Sequence, residues 1–299
     1  MLRNRTISVQ IEINPGEILT YNQDYNIKVN VNKTALATYN ECNIEISNLN
    51  RDVRNNLLSN FTLFQRRVGQ TPFVPIRVFI GREGQTPGKA DNLRQIFEGY
   101  ILTCDISPPP EMILTINAGT AVINKTKWNN KFAPKNSRVD AVAKWIADLL
   151  GLTPDLTALS PAIAAQTIPN FRWAATYEAL ITSFMQLNRG TVAVYIDDNR
   201  LVVQEFGNIS KAHPVYELNS TTSMIGVPSW TEWGAKATAL ADTPLFMGQG
   251  IRIKSEVNPN FPGINTMVIN KLGYELTTRD NPWYVHVHAG PSSQVEITQ

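Results

Sequence analysis

Apolar and polar residues alternate with a period of two over most of the first ~120 residues, which predicts half-buried strands. The segments are ISVQIEI (Ile7–Ile13), YNIKVNV (Tyr25–Val31), CNIEISN from Cys42, VPIRVFIG (Val74–Gly81), RQIFEGYILTCDIS (Arg94–Ser107) and EMILTINAG (Glu111–Gly119). Turn chemistry separates them: Asn14-Pro15-Gly16, a loop from Gly84 to Gly88 around Pro87, and Pro108-Pro109-Pro110. One stretch breaks the period. In NIEISNLNRDVRNNLL (Asn43–Leu58), Ile44 and Ile46 still flank Glu45, but from Leu49 the spacing becomes four. Leu49, Val53 and Leu57 then share a buried helical face, with Asn50 placed to cap the first free amides. Six strands with a single helix at Asn50–Asn60 predict a barrel or sandwich whose open end or face the helix covers.

The pattern changes after NKTKWNNKFAPKNS (Asn124–Ser137), a polar, lysine-rich stretch that reads as a linker or exposed loop. Ser137 with Asp140 fits a capping box, and Val139, Val142, Trp145, Ile146 and Leu149 line one helical face that Gly151 ends, with Pro154 beyond. PDLTALSPAIAAQTIPN reads as irregular, broken by Pro154, Pro161 and Pro169. A second helix follows from about Ala175 to Asn188, with Tyr177, Leu180, Ile181, Phe184 and Leu187 as its buried stripe and Gly190 as its stop. TVAVYIDDNRLVVQEF then reads as a hairpin turning at Asp198-Asn199. From Ala212 the strand pattern returns in AKATALAD (Ala235–Asp242), QGIRIKSEV (Gln249–Val257), NTMVINKLGYEL (Asn265–Leu276) and PWYVHVHAG (Pro282–Gly290). The expected fold class is mainly β with an α+β insert. The expected domains are 1–125 (β with one helix), 126–206 (α+β) and 207–299 (β).

Composition narrows the function. The chain has 299 residues, 43% of them hydrophobic, enough for a large core. Lys plus Arg is 27 and Asp plus Glu is 25, a net +2, and the basic residues are scattered rather than striped as in a nucleic-acid reader. The tight pairs Arg3 with Arg5 and Arg66 with Arg67 read as solvated surface. Cys42 and Cys104 lack metal-ligand spacing and read as free buried thiols of a protein made in a reducing cytosol. MLRNRTISVQIEI has no signal-peptide core, and no apolar run reaches the ~18 residues that span a bilayer. A soluble chain without a membrane anchor is expected.

Catalytic chemistry is sparse. No GxSxG elbow or HExxH pair occurs, and GREG (Gly81–Gly84) and MGQG (Met247–Gly250) lack the length and ending of phosphate loops. Glu98 and Asp105 fall at odd spacing on a strand, hence on opposite faces, and form no acid–base pair. His286 and His288 lie two apart, on one strand face with Tyr284, while Val285 and Val287 point inward. Such a pair could hold a metal if symmetry joined copies; a solvent-facing polar row is the plainer reading. Trp145, Trp173, Trp230 and Trp233 sit beside apolar stripes or turns and read as core rather than as a sugar platform. No catalytic, cofactor-binding or metal residues are assigned, and no enzyme activity is expected.

The order of these parts resembles baseplate hub proteins of tailed bacteriophages. NIEISNLNRDVRNNLL resembles that family's I-x-I-x-N-L strand-to-helix step. PIRVFIGRE and IFEGYILTCDISPPPEMILTINAG resemble its following strands, and FRWAATYEALITSFMQLNRGTVAVYIDDNRLVVQE its helix and hairpin. The stretch from SMIGVPSW to NKLGYEL is similar to its closing barrel, although QRRVGQTPFV departs from the expected loop. The resemblance implies two tube-like β-barrels, 1–125 and 207–299, flanking the middle domain. It implies a homotrimeric hub between a sixfold tail tube protein and a threefold central spike, touching other baseplate proteins. Genome DNA would cross its channel without specific binding, which the near-neutral charge permits. The hub would belong to the virion tail and be assembled in the host bacterial cytoplasm. The alternatives are a tail-tube or tube-initiator protein and a carbohydrate-binding host-recognition protein.

Overall fold

A computed structural model describes residues 5–35, 39–68, 72–83, 90–120, 133, 136–168, 176–188, 191–279 and 281–293. Contacts within the chain cluster into two compact units, one built from 1–32, 40–122 and 274–284, the other from 33–39, 123–273 and 285–299.

The first unit contains β1 (Arg5–Asn14), β2 (Glu17–Tyr21), β3 (Ile27–Thr34, whose end from Lys33 belongs to the other unit), β4 (Glu41–Ser47), α1 (Arg51–Asn60), α2 (Leu63–Arg67), β5 (Pro75–Glu83), β6 (Ala90–Ile106) and β7 (Ile113–Gly119). The seven strands lie in the order β3-β4-β7-β6-β5-β1-β2, each antiparallel to its neighbour. Alternation decides the layers: Ile27, Val29 and Val31 face inward with Ile44, Ile46 and Ile116, while the residues between them face out. α1 starts because Asn50 accepts a hydrogen bond from the Asp52 amide at 2.9 Å. It packs against β6, and its carboxyl end is closed by the buried Phe61, whose carbonyl accepts from the Cys104 amide.

The second unit holds β8 (Ser137–Arg138), α3 (Val139–Leu150), β9 (Thr153–Asp155), α4 (Pro161–Ala164), β10 (Thr167–Ile168), α5 (Tyr177–Leu187), β11 (Val192–Asp197), β12 (Arg200–Glu205), β13 (Tyr216–Leu218), β14 (Met224–Thr231), β15 (Gly234–Leu240), β16 (Gly250–Lys254) and most of β17 (Pro262–Thr277) and β18 (Trp283–Pro291). β11, β12 and β9 form a three-stranded sheet on which α3 and α5 pack. The larger sheet runs β14-β15-β18-β17, and β16 joins β17 to β13. β14 is an edge strand whose bulge, between Ile225 and Ser229, contains Pro228; a proline there blunts a free edge, because it has no amide to offer a new strand.

The fold is mainly β with large antiparallel sheets and an α+β part, as the periodicity predicts. Several local expectations are corrected. The N-terminal region has two helices: α2 follows α1, begun by a capping box between Thr62 and Gln65. Val53 is only half-buried. Leu49 is buried ahead of the helix, which itself buries Leu57 alone, because α1 carries few apolar residues and lies shallowly on the sheet. Ser137 cannot cap α3, since it pairs with Ile168 as part of β8; Arg138 is the N-cap, and Asp140 accepts from the next amide and pairs with Arg138 at 3.0 Å. Trp145 and Leu149 are half-buried and Leu187 is exposed, so both helical stripes are narrower than the spacing predicts. Trp230 and Trp233 are exposed at a hairpin, not in the core. The stretch read as irregular carries β9, α4 and β10, and β2 was not expected. The Gly84–Gly88 loop, most of Asn124–Ser137, Arg3, Pro169, Trp173, Gly190, residues 69–71 of QRRVGQTPFV and the Tyr177 side chain lie outside the described residues.

Candidate interaction surfaces

The outward face of β3, β4, β7 and β6 is polar and ordered in rows. Strand register sets Asn30 opposite Asn43, Asn43 opposite Asn117 and Asn117 opposite Thr103. The amides form a ladder: Asn43 Nδ2 donates to Asn117 Oδ1 at 2.9 Å, and Asn117 Nδ2 donates to Thr103 Oγ1 at 3.1 Å. The row beside it runs Lys28, Glu45, Thr115, Asp105, with Lys28 and Glu45 at 3.9 Å. Over this face lies a shallow cleft of about 310 Å³, with Arg66 of α2 at its rim. The middle row is uncharged, and Lys28 beside it faces the Glu45 carboxylate. Sequence reading missed this face, yet its signal was present. Asparagine is depleted in strands, and here it recurs at the outward positions of IKVNVNKT, ECNIEIS and ILTINAG.

A buried ion cluster lies in the second unit. Lys33 Nζ reaches Asp197 at 2.7 Å and Asp198 at 3.0 Å, and Arg200 holds Asp197 at 3.4 Å and Asp155 at 3.1 Å. Burial works against the Lys33 charge, but the two carboxylates outweigh it and raise its pKa above the ordinary lysine value. Tyr195 beside them is pushed up by burial and by the Asp197 and Asp155 charges, and its hydroxyl donates to Gln204 at 3.1 Å. The charges pair with one another, and a small pocket lined by Asp155, Tyr195, Asp197, Arg200 and His213 borders them. It too had a signal: in IKVNVNKT the alternation places Lys33 at an inward position.

His286 and His288 share a half-exposed strand face, with Val285 and Val287 buried behind them, as the alternation requires. His286 Nδ1 lies 3.0 Å from Thr238 Oγ1. The His288 pKa is lowered by partial burial and by the charges of Lys271, Lys236 and His286. Among the described residues no three His, Cys, Asp or Glu side chains gather as a metal would need. Glu98 is engaged by Arg77 at 2.8 Å. Cys42 and Cys104 are buried and neither is in a disulfide. Among the described residues no helix is long and apolar enough to cross a membrane. Large apolar side chains do reach the surface, with Phe64 72% and Trp233 78% exposed, as a subunit that buries them against neighbours would have.

Large antiparallel sheets with an α+β part define the class of fold. Solved structures agree on the fold. The chain is similar to a tail protein from Neisseria meningitidis MC58 (TM-score 0.62, 10% identity, 96% of each chain covered). It is also similar to the 43 kDa tail protein of prophage MuSo2 from Shewanella oneidensis (TM-score 0.59, 10% identity, 96% of this chain and 97% of that one). A third is an E. coli type VI secretion component described as similar to the T4 tail proteins gp27 and gp5 (TM-score 0.51, 12% identity, 90% and 74% covered). No curated protein matches by sequence. Residues 6–289 match the family described as baseplate hub gp41, and the chain belongs to that family. It is thus a structural component of the phage tail baseplate.

Proposed function

We propose that the chain works as a homotrimeric adaptor, joining the sixfold tail tube to the threefold central spike, with the amide-rich face of its first unit lining the channel the genome crosses. Residues 1–125 and 207–299 would act as two related tube-like barrels around the α+β part at 126–206, so that three copies present six barrels to a sixfold tube. The observation that carries the reading is the Asn30–Asn43–Asn117 row, which ends on the buried Thr103. A channel for a polyanion needs a wet surface that does not hold phosphates, because each Lys or Arg contact adds affinity by counterion release. Paired amides give such a surface, Lys28 is offset by Glu45, and the cleft that Arg66 borders also carries the Glu41 carboxylate. The role is mechanical and involves no catalytic step, and assembly would take place in the host bacterial cytoplasm before the virion forms.

Particle reconstruction of the intact tail tests this. Three copies at the end of the tube, with Asn43 and Asn117 facing the axis, are expected. Two or six copies, a position off the axis, or an Asn43 face packed against protein would overturn it.

A further inference from the structure

The second unit holds an open apolar cleft. β11 and β12 set Ala193 opposite Gln204, and Val268 and Asn270 lie two apart on β17, hence on one face. With Phe206 and Trp233 they line a cleft of about 210 Å³. Small residues keep it open: Ala193 is buried in its wall, and a Cβ on Gly290 would come within 3.2 Å of Asn270 Nδ2. That volume accepts one Leu- or Phe-sized side chain. The turn that carries Trp233 outward also exposes Glu232, which has no ion pair among the described residues.

The first unit carries a matching projection. α2 is fixed by its capping box, in which Thr62 Oγ1 accepts from the Gln65 amide at 3.1 Å, and it buries none of its residues. Leu63 and Phe64 therefore stand in solvent, with Val68 exposed just beyond. Arg66 and Arg67 close the helix, and neither has an ion pair among the described residues. Large apolar side chains held outside the core beside unpaired charge mark a contact surface. Arg66 also borders the amide-lined cleft, so the projection lies at the edge of the face assigned above to the channel.

We propose that Phe64 of one copy of the chain seats in the cleft of the next, with Arg66 and Arg67 meeting Glu232 of that next copy. The cleft takes one aromatic side chain, and α2 offers one. The charges match as well: from Thr62 to Val68 the chain carries only the two arginines, and from Thr231 to Gly234 only Glu232. Projection and cleft are different surfaces, so the contact is heterologous and repeats into a ring. A twofold contact through α2 would instead set the arginines against their own copies, which repulsion opposes. In a ring, neighbouring copies meet beside the lumen, and Arg66 lies at the rim of the face assigned to it. The inference rests on the homotrimeric reading and names the joint that would close the trimer.

Sedimentation velocity of the full-length protein tests it. The parent is expected to form trimers as its concentration rises. F64S and, separately, W233S should each weaken association at least tenfold, because buried aromatic anchors dominate such contacts. E232R and, separately, R66E/R67E should also weaken it, and the two combined should restore it, which damage to the fold would not do. All five residues are exposed, and an unchanged melting temperature confirms the fold. A mixture of F64S and W233S should stop at dimers, since such a pair keeps one sound joint and cannot close a ring. A parent that forms no trimer at millimolar concentration, a trimer that these variants leave unchanged, or charge reversal without rescue would overturn the inference. Copy number in the intact tail decides the trimeric adaptor reading separately.

Discussion

Replacing Lys33 by Met tests the energetic account of the second unit at its most buried charge. Lys33 and Asp197 are each 7% exposed along the side chain, and Asp198 is 19% exposed. Removing one member of such a pair strands the other, at about 3–5 kcal/mol. Two features argue for the lower end. Arg200 still holds Asp197 at 3.4 Å, and Asp198 can recover some water. About 3 kcal/mol in a unit of this size lowers the melting temperature by roughly 6–12 °C. K33M/D197N should recover most of that loss, because a buried pair replaced as a pair costs little. The pH dependence has a definite sign. The folded pKa of Lys33 is raised, so its contribution is complete below the unfolded lysine value and is lost as pH rises through the folded one. The gap between parent and K33M should therefore stay flat through neutral pH and narrow only above about pH 10. Calorimetry of the parent and the two variants decides it. A K33M protein melting within about 2 °C of the parent would refute the reasoning, since stranding the Asp197 carboxylate would then cost far less than a buried pair should.

Three further outcomes follow from burial and titration. Leu57→Asp should unfold the first unit, because an unpaired carboxylate at a fully buried site costs several kcal/mol, whereas Val53→Asp should shift its melting by little; circular dichroism of both variants checks this. Burial pushes the Cys104 thiol up to about 12, and Cys42 is also buried, so iodoacetamide at pH 8 should label neither until denaturant is added, as mass spectrometry would read. Partial burial and nearby cations lower the pKa of both His213 and His288, so the unfolded chain takes up their protons first and stability should fall as pH drops from 7 towards 5. The H213Q/H288Q double variant should flatten that slope in thermal melts.

Strand content was legible because a period of two leaves no other assignment for ISVQIEI or IKVNVNKT; burial selects the predicted side throughout IKVNVNKT, whereas in the first strand Thr6 and Ser8 are buried as well. The exceptions have physical causes. β2 is a five-residue edge strand that buries little beyond Tyr21, so it leaves no clear period. The α1 stripe at Leu49, Val53 and Leu57 predicted too deep a contact because Leu49 precedes the helix. Trp230 and Trp233 resemble core residues in composition, but a turn at Glu232 and Trp233 carries them out, where Trp230 stacks on the buried Phe261 at 4.8 Å. The amide row could be glimpsed from strand asparagines, and the Lys33 cluster from one lysine out of phase. The ladder could not be completed, since it depends on which strands are neighbours and in what register. That is a property of the folded sheet, and no local window of sequence contains it.

The outward sheet face of the first unit has a property that bears on what it can hold. On the first unit, donors and acceptors satisfy each other: Asn43 binds Asn117, Asn117 binds Thr103, and Lys28 faces Glu45. Such a face gains little by binding anything, because each new contact must replace one already made. A passage for a moving polymer needs that property. It follows from which outward strand positions carry asparagine.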